Sequence, residues 1–121
     1  MHPGKTLELL EMRAGEAEEL LSILANRRRL IILSNLMQFG ELAVGELVKR
    51  LDLAQSALSQ HLALMRNARI VTTRREGTTI YYSLTDERTR ALIRAIEYVM
   101  QPTIAESAEA LELGAAARRV A

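Results

Sequence analysis

Apolar positions recur at helical spacing through the first half of the chain, alternate over a short stretch, and then return to helical spacing. Over residues 7–24, Leu10, Ala14, Ala17, Leu21 and Leu24 follow one another at steps of four and three, the period of one face of an α-helix. Glu8, Glu11, Glu18 and Glu19 fall off that stripe, while Leu7, Leu9, Leu20 and Ile23 widen its apolar surface. A terminal helix this apolar is expected to pack against more than its own domain. Asn26 stands where an N-cap is needed for a second helix over about 27–38. Its run Leu30-Ile31-Ile32-Leu33, with Leu36 and Met37, belongs in a core. Phe39-Gly40 can end it, with Gly40 in a left-handed position.

Residues 44–51 read as a short amphipathic helix with Val44, Leu47, Val48 and Leu51 inside. Asp52-Leu53-Ala54 is a turn. Residues 55–68 form the next helix, with Leu58, Leu62, Met65 and the stem of Arg69 facing inward. Two short helices joined by such a turn have the size of a helix-turn-helix. The period then changes to two: Val71 and Thr73 alternate with Thr72 and Arg74, and Ile80, Tyr82 and Leu84 with Tyr81 and Ser83. Between them Arg75-Glu76-Gly77-Thr78 is expected to turn, because Gly77 accepts a positive φ. This is a β-hairpin. Asp86 caps a final helix whose stripe is Leu92, Ile96 and Val99. Pro102 should kink or break it, the apolar period resumes at Ile104, Ala108 and Leu111, and Gly114 should stop it. The tail 115–121 is expected to be disordered.

The expected fold is therefore mainly α with a small β-hairpin wing, in the order α-α-α-α-β-β-α, as one domain over 1–121. Its parts are an N-terminal helix within 1–25, a helix-turn-helix over 44–68, a wing over 70–84, and a C-terminal helix over 86–113, kinked or broken near Pro102. With Phe39, Tyr81, Tyr82 and Tyr98 as the only aromatics, aliphatic side chains must fill the core, and a partner subunit can complete it. There is no cysteine, so disulfides, thiolate metal sites and thiol redox sensing are excluded for this chain. No apolar run reaches the length of a membrane helix, and the N-terminus lacks the order of a secretory signal. A cytoplasmic protein without membrane association is expected.

The net charge of +1 conceals a polarity: residues 1–25 carry −3, residues 26–82 carry +5 and residues 83–121 carry −1. A basic middle between acidic ends is a modest footprint for a polyanion, doubled in a dimer. The fourth helix is the informative one. Opposite Leu58, Leu62 and Met65 lie Ser56, Ser59, Gln60 and Ala63, which are small or amide-bearing, with no acidic residue among them. A major groove accepts such a face: a carboxylate would be repelled by phosphate, and bulk would hold the backbone away. Gln can bond adenine bidentately, Ser can bond either base class, and Ala can touch a thymine methyl. Solvated helix faces usually carry Glu and Lys instead. The wing adds Arg74 and Arg75 near its tip, able to reach phosphates or a minor groove. Arg27-Arg28-Arg29 opposes the dipole at the start of the second helix, which a polyanion would offset.

These motifs are recognisable together. Leu24-Ala25-Asn26-Arg27-Arg28-Arg29-Leu30-Ile31-Ile32-Leu33 resembles the second-helix signature of the ArsR/SmtB family of repressors. Val44-Gly45-Glu46-Leu47 and Gln55-Ser56-Ala57-Leu58-Ser59-Gln60-His61-Leu62 resemble its helix-turn-helix, and Arg74-Arg75-Glu76-Gly77 through Tyr81-Tyr82-Ser83-Leu84 its wing. The resemblance covers roughly residues 20–86. One departure is Ala54, where the family more often has a capping Ser. The resemblance implies a homodimer formed by the first and last helices, with recognition helices in successive major grooves roughly 34 Å apart, on an imperfect inverted repeat of double-stranded DNA. The DNA-binding residues implied by face and motif are Gln55, Ser56, Ser59, Gln60, His61, Arg66, Arg74, Arg75 and Thr78. The dimer stripe is Leu10, Ala14, Ala17, Leu21, Leu92, Ile96 and Val99.

Many members of that family release DNA on binding a metal, and this chain lacks their ligands. Ala43 and Gly45 stand at the thiolate positions, and Arg88, Val99 and Pro102 stand where the last helix would need His or carboxylate. Asp86 alone does not make a site. His2 lies near the terminus, and His61 on the recognition helix reads as a base, phosphate or packing contact. A thiol-sensing subgroup resembles this chain but uses cysteines on the second and last helices, near Ser34 and Met100-Gln101 here. We therefore expect no cofactor and a metal-independent repressor, similar to family members that control nodulation, virulence or biofilm genes. Its regulation is expected to come from expression level, a competing protein partner, or a small apolar inducer between the terminal helices. No nucleophile triad, phosphate-cradling loop or paired carboxylates point to an enzyme. The alternative is a winged-helix protein-interaction module, which would more often expose large apolar residues on the fourth helix.

Overall fold

The computed structural model describes residues 3–120; His2 lies outside them. The chain runs α1 (Pro3–Leu24), α2 (Arg27–Phe39), β1 (Glu41–Ala43), α3 (Val44–Leu51), α4 (Gln55–Asn67), β2 (Val71–Glu76), β3 (Thr79–Leu84), α5 (Glu87–Val99) and α6 (Ile104–Val120). The expected class holds, with one added strand. Glu41–Ala43 is not a connector: it pairs antiparallel with β3, Leu42 opposite Tyr82, and gives a sheet of order β1-β3-β2. The wing is thereby joined to the segment that leads directly into α3.

Local chemistry sets the boundaries. The Asn26 side chain accepts from the Arg29 N–H at 3.0 Å and caps α2. Gly40, at φ 83, ends that helix by donating its N–H to Leu36. The Asp86 carboxylate accepts from both the N–H and the hydroxyl of Thr89, at 3.1 and 2.6 Å, and starts α5. Burial works against the charge on Asp86, but these bonds and Arg88 outweigh it and hold its carboxyl below the ordinary value. The hairpin turn is shorter than expected. The strands run through to the Glu76–Thr79 pair, so Gly77-Thr78 alone turn. Only Gly77 has a positive φ, 63°, matching the two-residue turn that needs glycine first.

Two further expectations are corrected at the C-terminal side. The helix after Val99 breaks around Pro102, but α6 then passes through Gly114 and continues to Val120, so neither a stop at Gly114 nor a disordered tail over the described residues is observed. Glycine inside a helix costs about 1 kcal/mol relative to alanine, which neighbouring Ala115, Ala116 and Ala117 offset locally.

The core is one aliphatic cluster. Ile32, Leu33 and Leu36 of α2, Leu47 of α3, and Leu58, Leu62 and Met65 of α4 are fully buried. Leu24, Leu42, Ile70, Val71, Leu84 and Ile93 close it from α1, the link between α4 and β2, the sheet and α5. Leu42 explains why a strand of three residues persists: its side chain is part of this cluster. The α1 stripe is different. Leu24 is buried, but Leu10 and Leu21 are each more than half exposed, as are Leu7, Leu9 and Met12. Among the described residues no helix is long and apolar enough to cross a membrane.

Candidate nucleic-acid interface

The fourth helix is held from beneath and bare above. Leu58, Leu62 and Met65 anchor it with no exposure. Gln55, Ser56, Ser59, Gln60 and Ala63 are exposed on its outer side, and Arg66 is exposed in its last turn, where a cation suits the helix dipole. His61 is half-buried at the edge of this face. Burial, and then the charges of Arg29 and Arg28, push its pKa below the ordinary histidine value, which favours the uncharged ring.

The helix ends are unequal. Ala54 has the extended backbone of an N-cap and no side-chain oxygen to offer. Ala54→Ser is therefore expected to stabilise the fold by about 1 kcal/mol, read as a higher urea midpoint at unchanged slope; no rise would mean the first turn is already satisfied by solvent. At the other end, Ile70 N–H donates to Met65 O at 2.9 Å and Arg69 N–H to Arg66 O at 3.0 Å, the paired bonds of a Schellman motif. Arg69 is its left-handed residue, with φ 62. It is exposed, which corrects the expectation that its stem faces the core; the apolar position closing the motif is Ile70. The preceding helix is half-boxed: Glu46 accepts the Ala43 N–H at 3.2 Å, and Ala43 returns no bond.

The basic triplet at the start of α2 divides. Arg29 Nε donates to Ile23 O at 2.7 Å, and its Nη2 reaches Ser22 O at 3.5 Å. Its charge thus meets the carbonyl end of α1, where the helix dipole is negative. This resolves the unfavourable placement for Arg29 without a polyanion. Arg27 and Arg28 remain exposed.

The wing arginines divide too, because successive residues of a strand face opposite ways. Arg75 and Thr78 are exposed. Arg74 instead forms a network: its Nη2 lies 2.9 Å from Glu41 and its Nη1 2.9 Å from Glu76, and its guanidinium sits 4.7 Å above the Tyr81 ring centroid. The hydrogen bond from Arg74 lowers the Glu41 pKa, and the two carboxylates raise that of Arg74.

The expected dimer stripe lies on the open side of the protomer. Leu10, Ala14, Ala17, Leu21 and Ala25 line a shallow groove on α1, edged by Glu18 and Ser22. On α5, Leu92 is half-buried, while Ile96 and Val99 are exposed. Two of the positions that the sequence resemblance associated with a metal or a thiol are otherwise engaged here: Asp86 caps α5, and Ser34 Oγ donates to Leu30 O at 2.8 Å. Among the described residues no group of three or more His, Cys, Asp or Glu could hold a metal ion.

A helix-turn-helix followed by a sheet-anchored hairpin defines a winged-helix nucleic-acid-binding protein. Residues 26–73 match the model of the bacterial regulatory proteins of the arsR family. The chain is 46% identical over 90 residues to the transcriptional activator HlyU of Vibrio cholerae, spanning 74% of this chain and 82% of that one. It is 44% identical over 90 residues to a biofilm growth-associated repressor of Agrobacterium fabrum, spanning 74% and 76%. The crystal structure of the transcriptional regulator HlyU from Vibrio vulnificus superposes with a TM-score of 0.71 at 45% identity, covering 79% of this chain and 99% of that one. The chain belongs to the ArsR family of DNA-binding transcriptional regulators, which are not enzymes.

Proposed function

We propose that this regulator is a repressor that binds an inverted-repeat operator as a homodimer, without a metal. The observation that carries the reading is the outer face of α4: exposed amide and hydroxyl groups, no carboxylate, on a helix fixed by three fully buried anchors. Gln55, Ser56, Ser59 and Gln60 meet base edges, with His61 beside them as a further hydrogen-bonding group. Arg66, Arg75 and Thr78 hold the DNA backbone. Arg74 is set apart from these, since its charge is already met by two carboxylates. The apolar groove on α1 and the exposed Ile96 and Val99 supply a two-fold interface. Metal independence is supported by the donor set: no cysteine in the chain, and Asp86 committed to a helix cap. Names of similar proteins include both an activator and a repressor; repression is preferred because a dimer seated on an operator blocks polymerase by occupancy alone, with no further contact required.

The test is selection from a random duplex library with the full chain, repeated with EDTA and with a reductant. Enrichment of one inverted repeat, unchanged by either additive, is expected. On the selected operator, Gln60→Ala should cost about 1–3 kcal/mol at the contacted base pair. Arg75→Ala should weaken binding to every sequence and reduce the salt slope by about 0.9. Equal effects of both changes on operator and random DNA would refute this division of roles, and no enrichment from a folded dimer would favour the protein-interaction alternative.

A further inference from the structure

Arg74 reaches across the sheet. It sits on β2 opposite Tyr81 of β3, and Tyr81 in turn lies opposite Ala43 of β1. From there its Nε donates to Glu41 Oε1 and Oε2 at 3.0 and 3.2 Å, and its Nη2 to Glu41 Oε2 at 2.9 Å. The remaining nitrogen, Nη1, donates to Glu76 Oε2 at 2.9 Å. All three guanidinium nitrogens are engaged, and the group lies over the ring between the strands it joins. Glu41 begins the strand that runs straight into α3. The backbone ties β1 to β3 and β3 to β2 but makes no bond between β1 and β2; Arg74 supplies that link. Arg75, on the opposite face, is the hairpin's one arginine without a carboxylate partner among the described residues.

We infer that Arg74 is a positioning residue for DNA binding and not a phosphate contact. With Glu41 and Tyr81 it fixes the angle of the wing against the helix-turn-helix, so that Arg75 and Thr78 address the same duplex that α4 reads. The inference rests on the DNA-binding reading above. A single exposed ion pair contributes little; a forked pair stacked on a ring holds direction, and a hairpin's tip magnifies any change of angle at its base. Lysine lacks the planar fork and cannot make the same contacts.

The experiment uses the full chain with Arg74→Gln, Arg74→Lys, Glu41→Gln, the Arg74→Gln/Glu41→Gln double variant and Glu76→Gln. Each is titrated with operator and random duplexes over a range of salt, well below its melting temperature. Arg74→Gln, Arg74→Lys and Glu41→Gln should each weaken binding about fivefold, the upper range for an exposed pair, on both duplexes and with a salt slope lower by at most the roughly 0.9 that Arg75 contributes, because the wing then presents Arg75 poorly. In an Arg75→Ala background the same changes should cost little more. The double variant should be no worse than either single, since both changes cut one link. Glu76→Gln, on the same strand as Arg74, should change little. A further fall of about 0.9 in the salt slope when Arg74→Gln is added to Arg75→Ala, retention of binding by Arg74→Lys, and tighter binding of both duplexes by Glu41→Gln would overturn the inference and make Arg74 a phosphate contact. Losses that track melting temperature and persist undiminished in the Arg75→Ala background would also overturn it, in favour of a role in stability alone. A folded wild-type chain that binds neither duplex would overturn the DNA-binding reading itself, a separate failure visible before any variant is made.

Discussion

Leu21→Arg should turn the protein into a folded monomer that no longer distinguishes its operator from random DNA. Leu21 is 55% exposed in the protomer, so an arginine there costs the isolated fold little. In the proposed dimer the same position lies on the two-fold seam, and the substitution places two unpaired cations in an apolar contact, each with a desolvation cost of several kcal/mol. One winged helix alone reads half an operator. Binding should then fall from the specific to the non-specific range, a loss of about a thousandfold or more. Sedimentation velocity and operator titration together check this, and an intact dimer would place the interface elsewhere than the groove on α1.

The second large effect is on stability. Leu62 is fully buried on the inner side of the helix whose outer side is proposed to read bases. Leu62→Ala should cost about 2–5 kcal/mol, through lost burial and the cavity left behind. Against a typical total of about 5–15 kcal/mol, that is a large share. Urea unfolding at a fixed chain concentration is the appropriate measurement, because dimerisation couples stability to concentration. Leu64, two residues on and 41% exposed, should lose far less when changed to alanine. Equal losses at the two sites would mean that α4 is not seated as described.

The difference between Leu62 and Leu64 also indicates what the sequence could convey. A helix with an apolar stripe announces both its presence and its inward face, so α2, α3 and α4 were legible nearly to the residue. The hairpin was legible from alternation and from Gly77. β1 was not, because three residues are too few for a period, and its partner strand lies 40 positions away. Arg69 was misread for a related reason: its spacing continues the α4 stripe, but the helix has already closed, and the motif that closes it places an arginine where glycine is more usual. Gly114 carried the opposite error, since a glycine that can end a helix need not do so among alanines.

The residues proposed to face DNA show the same boundary between local and distant information. The uncharged face of α4 is a property of one helix and could be read from spacing. The partners of Arg29 and Arg74 are not. Arg29 is matched by carbonyls of a helix it follows, and Arg74 by a carboxylate 33 residues earlier. Counting basic residues made both arginines candidates for phosphate; only the fold reveals that their charges are already answered within the protomer.

The pairing of residues 41–43 with residues 81–83 has a bearing on how the molecule is made. Each helix can begin to form as soon as its own residues are available, but the sheet must wait for a loop of some forty residues to close, and such distant pairings are slow to form. A nascent chain that has only just exposed Thr79 already holds both helices of the helix-turn-helix, yet lacks the strand against which Glu41 and Leu42 are fixed. The wing and the platform beneath it are completed together, after α4 has been made, and a fragment ending before Ser83 would carry α4 without the completed sheet.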